Sequence, residues 1–225
     1  MTRHALCSFF VVTMLAGCSL DNPVAPDTTP IARLSFFHAC PDGPNLIVQV
    51  NDVNINGQVF SFGSYNDYIV LKAGTLPIKF KNASSLTLIL DTLYTFSDKG
   101  TYSLYVINSL AQIKGLLIQD NGFLQSPTNT MVRFIHLSPD APAVTAILTG
   151  SKGPFFSGGY KEISDFVEMT PQQYTLEVRA QSDNQLILSI PVPTVAGSYY
   201  TLALTGYQTP PPNNGNTLAV KVINN

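Results

Sequence analysis

Two short segments each place a histidine, a potential nucleophile and an acid within five residues. One is His38-Ala39-Cys40-Pro41-Asp42, the other His136-Leu137-Ser138-Pro139-Asp140. On an extended chain, residues two apart point to the same face, so His136 could reach Ser138, and His38 could reach Cys40. That spacing allows a Ser-His-Asp hydrolase or a Cys-His thiol enzyme, in which a base holds and deprotonates its nucleophile. It matches no nucleophile elbow. A zinc site needs three or four converging N, S or O ligands, and Cys40 has no cysteine counterpart in the second segment, so a metal site shared by both fails. The simpler reading is a strand-end histidine followed by a Pro-Asp turn, whose Asp side chain binds backbone N–H groups. Cys40 then fills a serine-sized slot as an inert, buried thiol.

Other candidates are weaker. Asp67 and Asp165 each stand without a paired carboxylate for general acid–base work. Glu162, Asp165 and Glu168 are too scattered for a Ca²⁺ loop. No glycine-rich phosphate loop leads from a strand into a helix. Tyr65, Tyr68, Tyr94, Tyr160, Tyr199 and Tyr207 could stack on sugars, but the favoured reading makes them half-buried strand residues with hydroxyls at the rim. No tryptophan is present. No catalytic, cofactor or metal residue is assigned, and no cofactor is expected.

The elements that position these segments are legible from a repeat. Phe36-Phe37-His38-Ala39-Cys40-Pro41-Asp42-Gly43-Pro44 returns as Phe134-Ile135-His136-Leu137-Ser138-Pro139-Asp140-Ala141-Pro142, 98 residues later. The same offset aligns Asp67 with Asp165, Leu88-Ile89-Leu90 with Leu186-Ile187-Leu188, and Tyr102 with Tyr200. One register held that long reads as a tandem duplication. Strands are expected at Ala32 to His38, Leu46 to Val50, Tyr68 to Leu71, Leu76 to Phe80, Leu86 to Leu90, Tyr102 to Ile107 and Ile113 to Ile118. The order repeats from Thr130 to Ile223. Asn56-Gly57 is the expected two-residue hairpin before Val59-Phe60. Short strands at regular spacing, separated by Gly, Pro, Asn and Asp turns, give an all-β chain of two immunoglobulin-like β-sandwiches. Gly100-Thr101-Tyr102 and Gly197-Ser198-Tyr199 are each read as a tyrosine corner. Low charge (12%) with many β-branched and aromatic residues fits that class.

The N-terminus carries an address. Ala5 to Ala16 is an apolar run, too short to span a bilayer, and it ends in Leu15-Ala16-Gly17-Cys18. This resembles the bacterial lipobox. The resemblance implies cleavage before Cys18, diacylglyceryl on its sulfur and an acylated new N-terminus, a combination that anchors permanently. No acid directly follows Cys18, which favours the outer membrane, with the periplasmic or surface face left open. The expected organisation is a lipoprotein signal peptide over 1–17, a proline-rich tether over 18–30, sandwich repeats over 31–119 and 130–225, and a polar linker over 120–129. Gln208 to Asn216 is read as an exposed loop. Without the leader Cys7 is lost and Cys18 is lipidated, so Cys40 stands alone and no intrachain disulfide forms. Of the 12 basic residues, Arg3 leaves with the leader, so 11 remain against 14 acids. That balance excludes nucleic acid as a partner.

The repeated segments also resemble the His-Ala-Ser-Pro-Asp-Ala-Pro signature of a bacterial envelope family, domain of unknown function 4397. The first copy departs from it at Cys40 and Gly43. Gly63 to Tyr68 is similar to the family's Gly-x-x-x-Asp-Tyr segment, and Asp165-Phe166 matches it more loosely. The resemblance implies a β-sandwich module on secreted or lipid-anchored proteins and no particular activity. The expected function is thus a non-catalytic envelope lipoprotein that binds, adheres or braces. Its partners would be the membrane, through Cys18, and another envelope protein or a surface glycan. The alternative is an envelope hydrolase or thiol enzyme using His38 with Cys40, or His136 with Ser138.

Overall fold

The computed structural model describes residues 29–120, 127–150, 153 and 155–225. The leader, Cys18, most of the tether and 121–126 of the linker lie outside the described residues. Every regular element is a strand, apart from one 3₁₀ turn at Leu110–Gln112.

Eight strands make the first sandwich. One sheet has the order β4 (Tyr65–Lys72), β1 (Ile31–His38), β7 (Thr101–Ile107), β8 (Lys114–Gln119). The facing sheet has the order β3 (Val53–Asn54), β2 (Leu46–Val50), β5 (Gly74–Asn82), β6 (Leu88–Phe96). The second sandwich repeats both orders. Its sheets are β12 (Val167–Met169), β9 (Thr130–His136), β15 (Tyr199–Thr205), β16 (Ala219–Asn224), and β11 (Phe156–Gly158), β10 (Val144–Leu148), β13 (Gln173–Ala180), β14 (Leu186–Pro193). The register repeats too: Leu34 pairs with Tyr102 and Val132 with Tyr200. Both are parallel pairs inside otherwise antiparallel sheets, and they lie at the centre of each sheet. The strands follow the period-2 pattern. Leu46, Val48 and Val50 are buried while Ile47 and Gln49 are half-buried, as a strand covered on one face should be.

Two local expectations are corrected. The hairpin after β2 turns at Asn51-Asp52, both at positive φ (49° and 64°), as a type I′ turn requires. Asn56-Gly57 is not that turn. The Asn56 side chain instead lies along β2, accepting from Val48 N (2.8 Å) and donating to Leu46 O (3.0 Å). It satisfies backbone groups that a longer β3 would have paired. The second tyrosine corner is Tyr200, not Tyr199. Ser97 N donates to the Tyr102 hydroxyl at 3.0 Å, and Val195 N to the Tyr200 hydroxyl at 3.3 Å. Tyr199 alternates to the other face and packs edge-on against Phe166.

The larger difference lies between the sandwiches. Each has its own core, one around Leu34, Phe36, Phe80 and Leu104, the other around Phe134, Val178 and Leu202. A third core joins them, made of Phe37, Ala39, Tyr105, Ile107, Ile135, Leu137, Ala203 and Ile223. The strand pair β1–β7 packs on β9–β15, so both faces of these strands are covered, and every residue of β9 is buried. Equivalent positions of both sandwiches contribute to it: Phe37 and Ile135, Ala39 and Leu137, Tyr105 and Ala203, each 98 apart. Each large side chain so buried contributes about 1.5–3 kcal/mol. The expectation of two units with separate interiors is therefore incomplete.

Candidate functional site

The first signature turn leaves β1 at His38, which is fully buried on the core face beside Phe60. Its Nε2 donates to Pro44 O (3.0 Å), and its Nδ1 accepts from Cys40 N (3.3 Å). Both nitrogens are thus used to close the turn, with the proton on Nε2. The Cys40 thiol donates to Asp42 Oδ1 (3.5 Å), and the same oxygen accepts from Leu110 N (2.8 Å). Asp42 therefore ties the β1–β2 connection to the segment after β7. Backbone bonds clamp the histidine on either side, from Gly63 N to His38 O (2.8 Å) and from Ala39 N to Val106 O (2.7 Å).

The second turn repeats this geometry with different atoms. His136 Nε2 donates to Pro142 O (2.9 Å), while its Nδ1 is buried without a hydrogen-bond partner. Ser138 Oγ donates to Gly206 O (2.6 Å), and Asp140 accepts from Gln208 N (2.7 Å) and Thr209 N (2.8 Å). The departures in the first copy explain each other. A Cβ on Gly43 would lie 2.9 Å from Cys40 Sγ and 3.0 Å from His38 Cε1. The larger sulfur at 40 takes the room that a methyl at 43 needs, so Cys goes with Gly, and the smaller Ser138 goes with Ala141.

This arrangement is poor for catalysis. Neither histidine is hydrogen-bonded to the Cys40 sulfur or the Ser138 hydroxyl, whose bonds go to Asp42 and Gly206. Burial, then the Asp42 carboxylate, pushes the Cys40 thiol up to about 12, so it stays protonated at neutral pH. Burial also lowers both histidines below their ordinary range, with the proline carbonyls opposing. Among the described residues no group of three or more His, Cys, Asp or Glu could hold a metal ion. Asp67, inside β4, accepts from Tyr68 N at 2.7 Å and from the Tyr65 hydroxyl at 3.3 Å. Asp165 lies in the wall of an open groove of about 650 Å³ with Phe155, Lys161 and Glu162.

The tyrosines do not form one platform. Tyr94 and Tyr207 are buried, Tyr160 donates to Asn108 Oδ1, and Tyr68 donates to Asp120 Oδ2 at 2.8 Å. Burial, then Asp42, pushes the Tyr207 phenol up. The loop read as exposed, Gln208 to Asn216, reaches back to the first sandwich, where Asn214 Nδ2 donates to Pro41 O (3.1 Å) and Asn216 Nδ2 donates to the same oxygen. The first signature turn thus contacts the second sandwich.

The residues missed by sequence reasoning are Arg133 and Asp120, an ion pair at 2.6 Å with side chains 3% and 0% exposed. Arg133 Nε donates to Thr201 Oγ1 (2.9 Å), one terminal NH₂ donates to Tyr105 Oη (3.2 Å), and the guanidinium covers the Phe166 ring at 4.5 Å. Asp120 Oδ2 accepts from Ser103 Oγ (2.7 Å) and from Tyr68. Asp120 had been assigned to the polar linker. A signal was present, since β9 reads Thr-Met-Val-Arg-Phe-Ile-His, and one charge in a run covered on both faces must find a partner.

No curated protein matches this sequence. Among solved structures, the chain resembles a family 26 carbohydrate-binding module, CBMbc from Eubacterium rectale Amy13K, crystallised in complex with maltoheptaose. The identity is 10% and the TM-score 0.25, over 81% of this chain and 98% of that one. Residues 32–147 match the model of the domain of unknown function DUF4397, from β1 through β9 and into β10, so the protein belongs to that family.

Proposed function

We propose that the protein is a lipid-anchored, non-catalytic module of the cell envelope that binds or displays at the outer membrane or cell surface. One observation carries the non-catalytic half. Every His, Cys, Ser and Asp of the two signature segments is bonded into closing a turn or tying it to a neighbouring loop. A nucleophile needs a base hydrogen-bonded to it and a removable proton; the Cys40 thiol bonds Asp42 rather than His38, and burial pushes it up to about 12. The anchoring half rests on Leu15-Ala16-Gly17-Cys18 at the end of the apolar run. Another envelope protein or a surface glycan is the partner class, engaged by loops at the sandwich ends.

Mass spectrometry of the protein recovered from membranes tests the anchor. The expected N-terminus is a diacylglyceryl, acylated Cys18; an intact Met1 in the soluble fraction would refute it. Probing envelope proteins and glycans with the mature chain tests the binding role, and silence across both would count against it.

A further inference from the structure

The faces that meet in the third core are equivalent in position and opposite in charge. A polar frame repeats on each. In the first sandwich Ser35 Oγ bonds Ser103 Oγ (2.9 Å), and Ser103 donates to Asp120 (2.7 Å). In the second, Arg133 Nε donates to Thr201 Oγ1 (2.9 Å), and Thr201 donates to Asn225 Oδ1 (2.7 Å). Ser35 corresponds to Arg133 and Ser103 to Thr201 by the 98-residue offset. Asp120 corresponds to Asn225 by register, since Asp120 N donates to Thr101 O and Asn225 N to Tyr199 O, both at 2.8 Å. One frame therefore ends in a carboxylate and carries no cation. The other carries a guanidinium and ends in a neutral amide. Their surroundings follow suit. Tyr105, which accepts from Arg133, has Ala203 as its counterpart, and Tyr68, which donates to Asp120, has Phe166.

We propose that this single ion pair is a partner selector. It makes the first face accept the second and reject another copy of itself. The apolar part of the interface is built from equivalent positions of both sandwiches, and apolar contact alone does not tell a face from its duplicate. The buried charges break that tie. First-with-first pairing buries two Asp120 carboxylates with no cation. Second-with-second pairing buries two Arg133 guanidinia with no anion. A buried charge without its partner is strongly unfavourable, whereas a buried pair replaced by neutral groups is often tolerated. The consequence is that neighbouring molecules do not join through this face. This inference does not depend on the proposed binding role.

Variants of the full chain test it. Arg133→Ser with Asn225→Asp gives the second face the acid of the first. The expected result is at least a 100-fold fall in the folding equilibrium constant, or opening of the third core seen as a larger radius of gyration. Stability and radius equal to those of the parent overturn the proposal. Asp120→Asn with Arg133→Ser gives each position its neutral counterpart, and should keep the equilibrium constant within about tenfold. That variant and the parent are then each cleaved at a protease site placed within 121–126 and examined by native mass spectrometry. The parent should yield only the mixed pair of fragments, and the neutral variant should also yield both like pairs. Like pairs in the parent, or none in the neutral variant, overturn the proposal. If cleavage unfolds either protein, the acid-matched chain alone decides.

Discussion

The two signature turns occupy equivalent places in the two sandwiches and have opposite solutions for the same volume. In the first, sulfur at Cys40 and hydrogen at Gly43 share the space beside His38; in the second, oxygen at Ser138 and a methyl at Ala141 do. The second turn also ties its Asp to two backbone N–H groups where the first ties one. The first satisfies both histidine nitrogens, while the second leaves His136 Nδ1 buried without a partner. The comparison shows that the motif conveys a shape, a tight connection clamped onto the next loop. Its nucleophile-like residue is interchangeable only together with its neighbour.

The most severe way to break the pairing is Gly43→Ala. Overpacking against Cys40 and His38 should cost about 1–3 kcal/mol in chemical denaturation. In a Cys40→Ser background the loss should shrink to under about 1 kcal/mol, since Ser138 and Ala141 coexist in the other turn. Equal losses in both backgrounds would show that the two positions are not coupled.

Next is the clamp. Asp140→Ala removes the acceptor of two solvent-exposed backbone N–H bonds and should cost about 0.5–1.5 kcal/mol. Asp42→Ala removes the acceptor of one and should cost less, by comparison of denaturation midpoints. The reverse order would mean that the Asp42–thiol contact outweighs an N–H bond.

Acid acts on both turns through their histidines. Both have folded values lowered by burial from 6.5. The unfolded chain therefore binds protons first, and the stability from the neutral rings is full above about pH 6.5. It is lost as pH falls through the lowered folded values. Urea midpoints from pH 7.5 to 5 should decline, and the decline should flatten in His38→Gln with His136→Gln. An unchanged slope would remove the histidines as its cause.

A smaller effect sits beside each histidine carbonyl. Gly63 (φ +78°) and Lys161 (φ +75°) donate to His38 O and His136 O in the same left-handed conformation. Only glycine adopts it without steric cost. Lys161→Gly should stabilise by up to about 1 kcal/mol, while Gly63→Ala should destabilise. The smallest expected signal is native alkylation of Cys40. With the thiol at about 12, its modification by iodoacetamide should track global unfolding. Reaction faster than in an unfolded peptide would revive the thiol-enzyme reading.

Much of this was legible beforehand, for a physical reason. Side-chain alternation and turn residues are local, so the sequence places Leu46 to Val50 to the residue and Tyr102 to Ile107 to within one, since β7 begins at Thr101. The same Pro-Asp chemistry indicated that Asp42 and Asp140 bind backbone N–H groups. Local rules failed where two signals competed. Asn56-Gly57 is the stronger-looking turn dipeptide, yet the reversal falls at Asn51-Asp52, before the short β3, and Asn56 covers the edge of β2.

The sequence by itself determined the all-β class, the place of most strands and the Pro-Asp turns, because period-2 burial and turn chemistry are properties of neighbouring residues; it placed one strand at Leu86 to Leu90 where β6 runs Leu88–Phe96. Tertiary structure decided what covers the outer faces of β1, β7, β9 and β15. An apolar run such as Phe134-Ile135 states that both sides of a strand are dry, and does not say against what. The partner of Arg133 was equally undetermined, because the register of one sheet against another brings Asp120 to it, and no spacing along the chain encodes that approach.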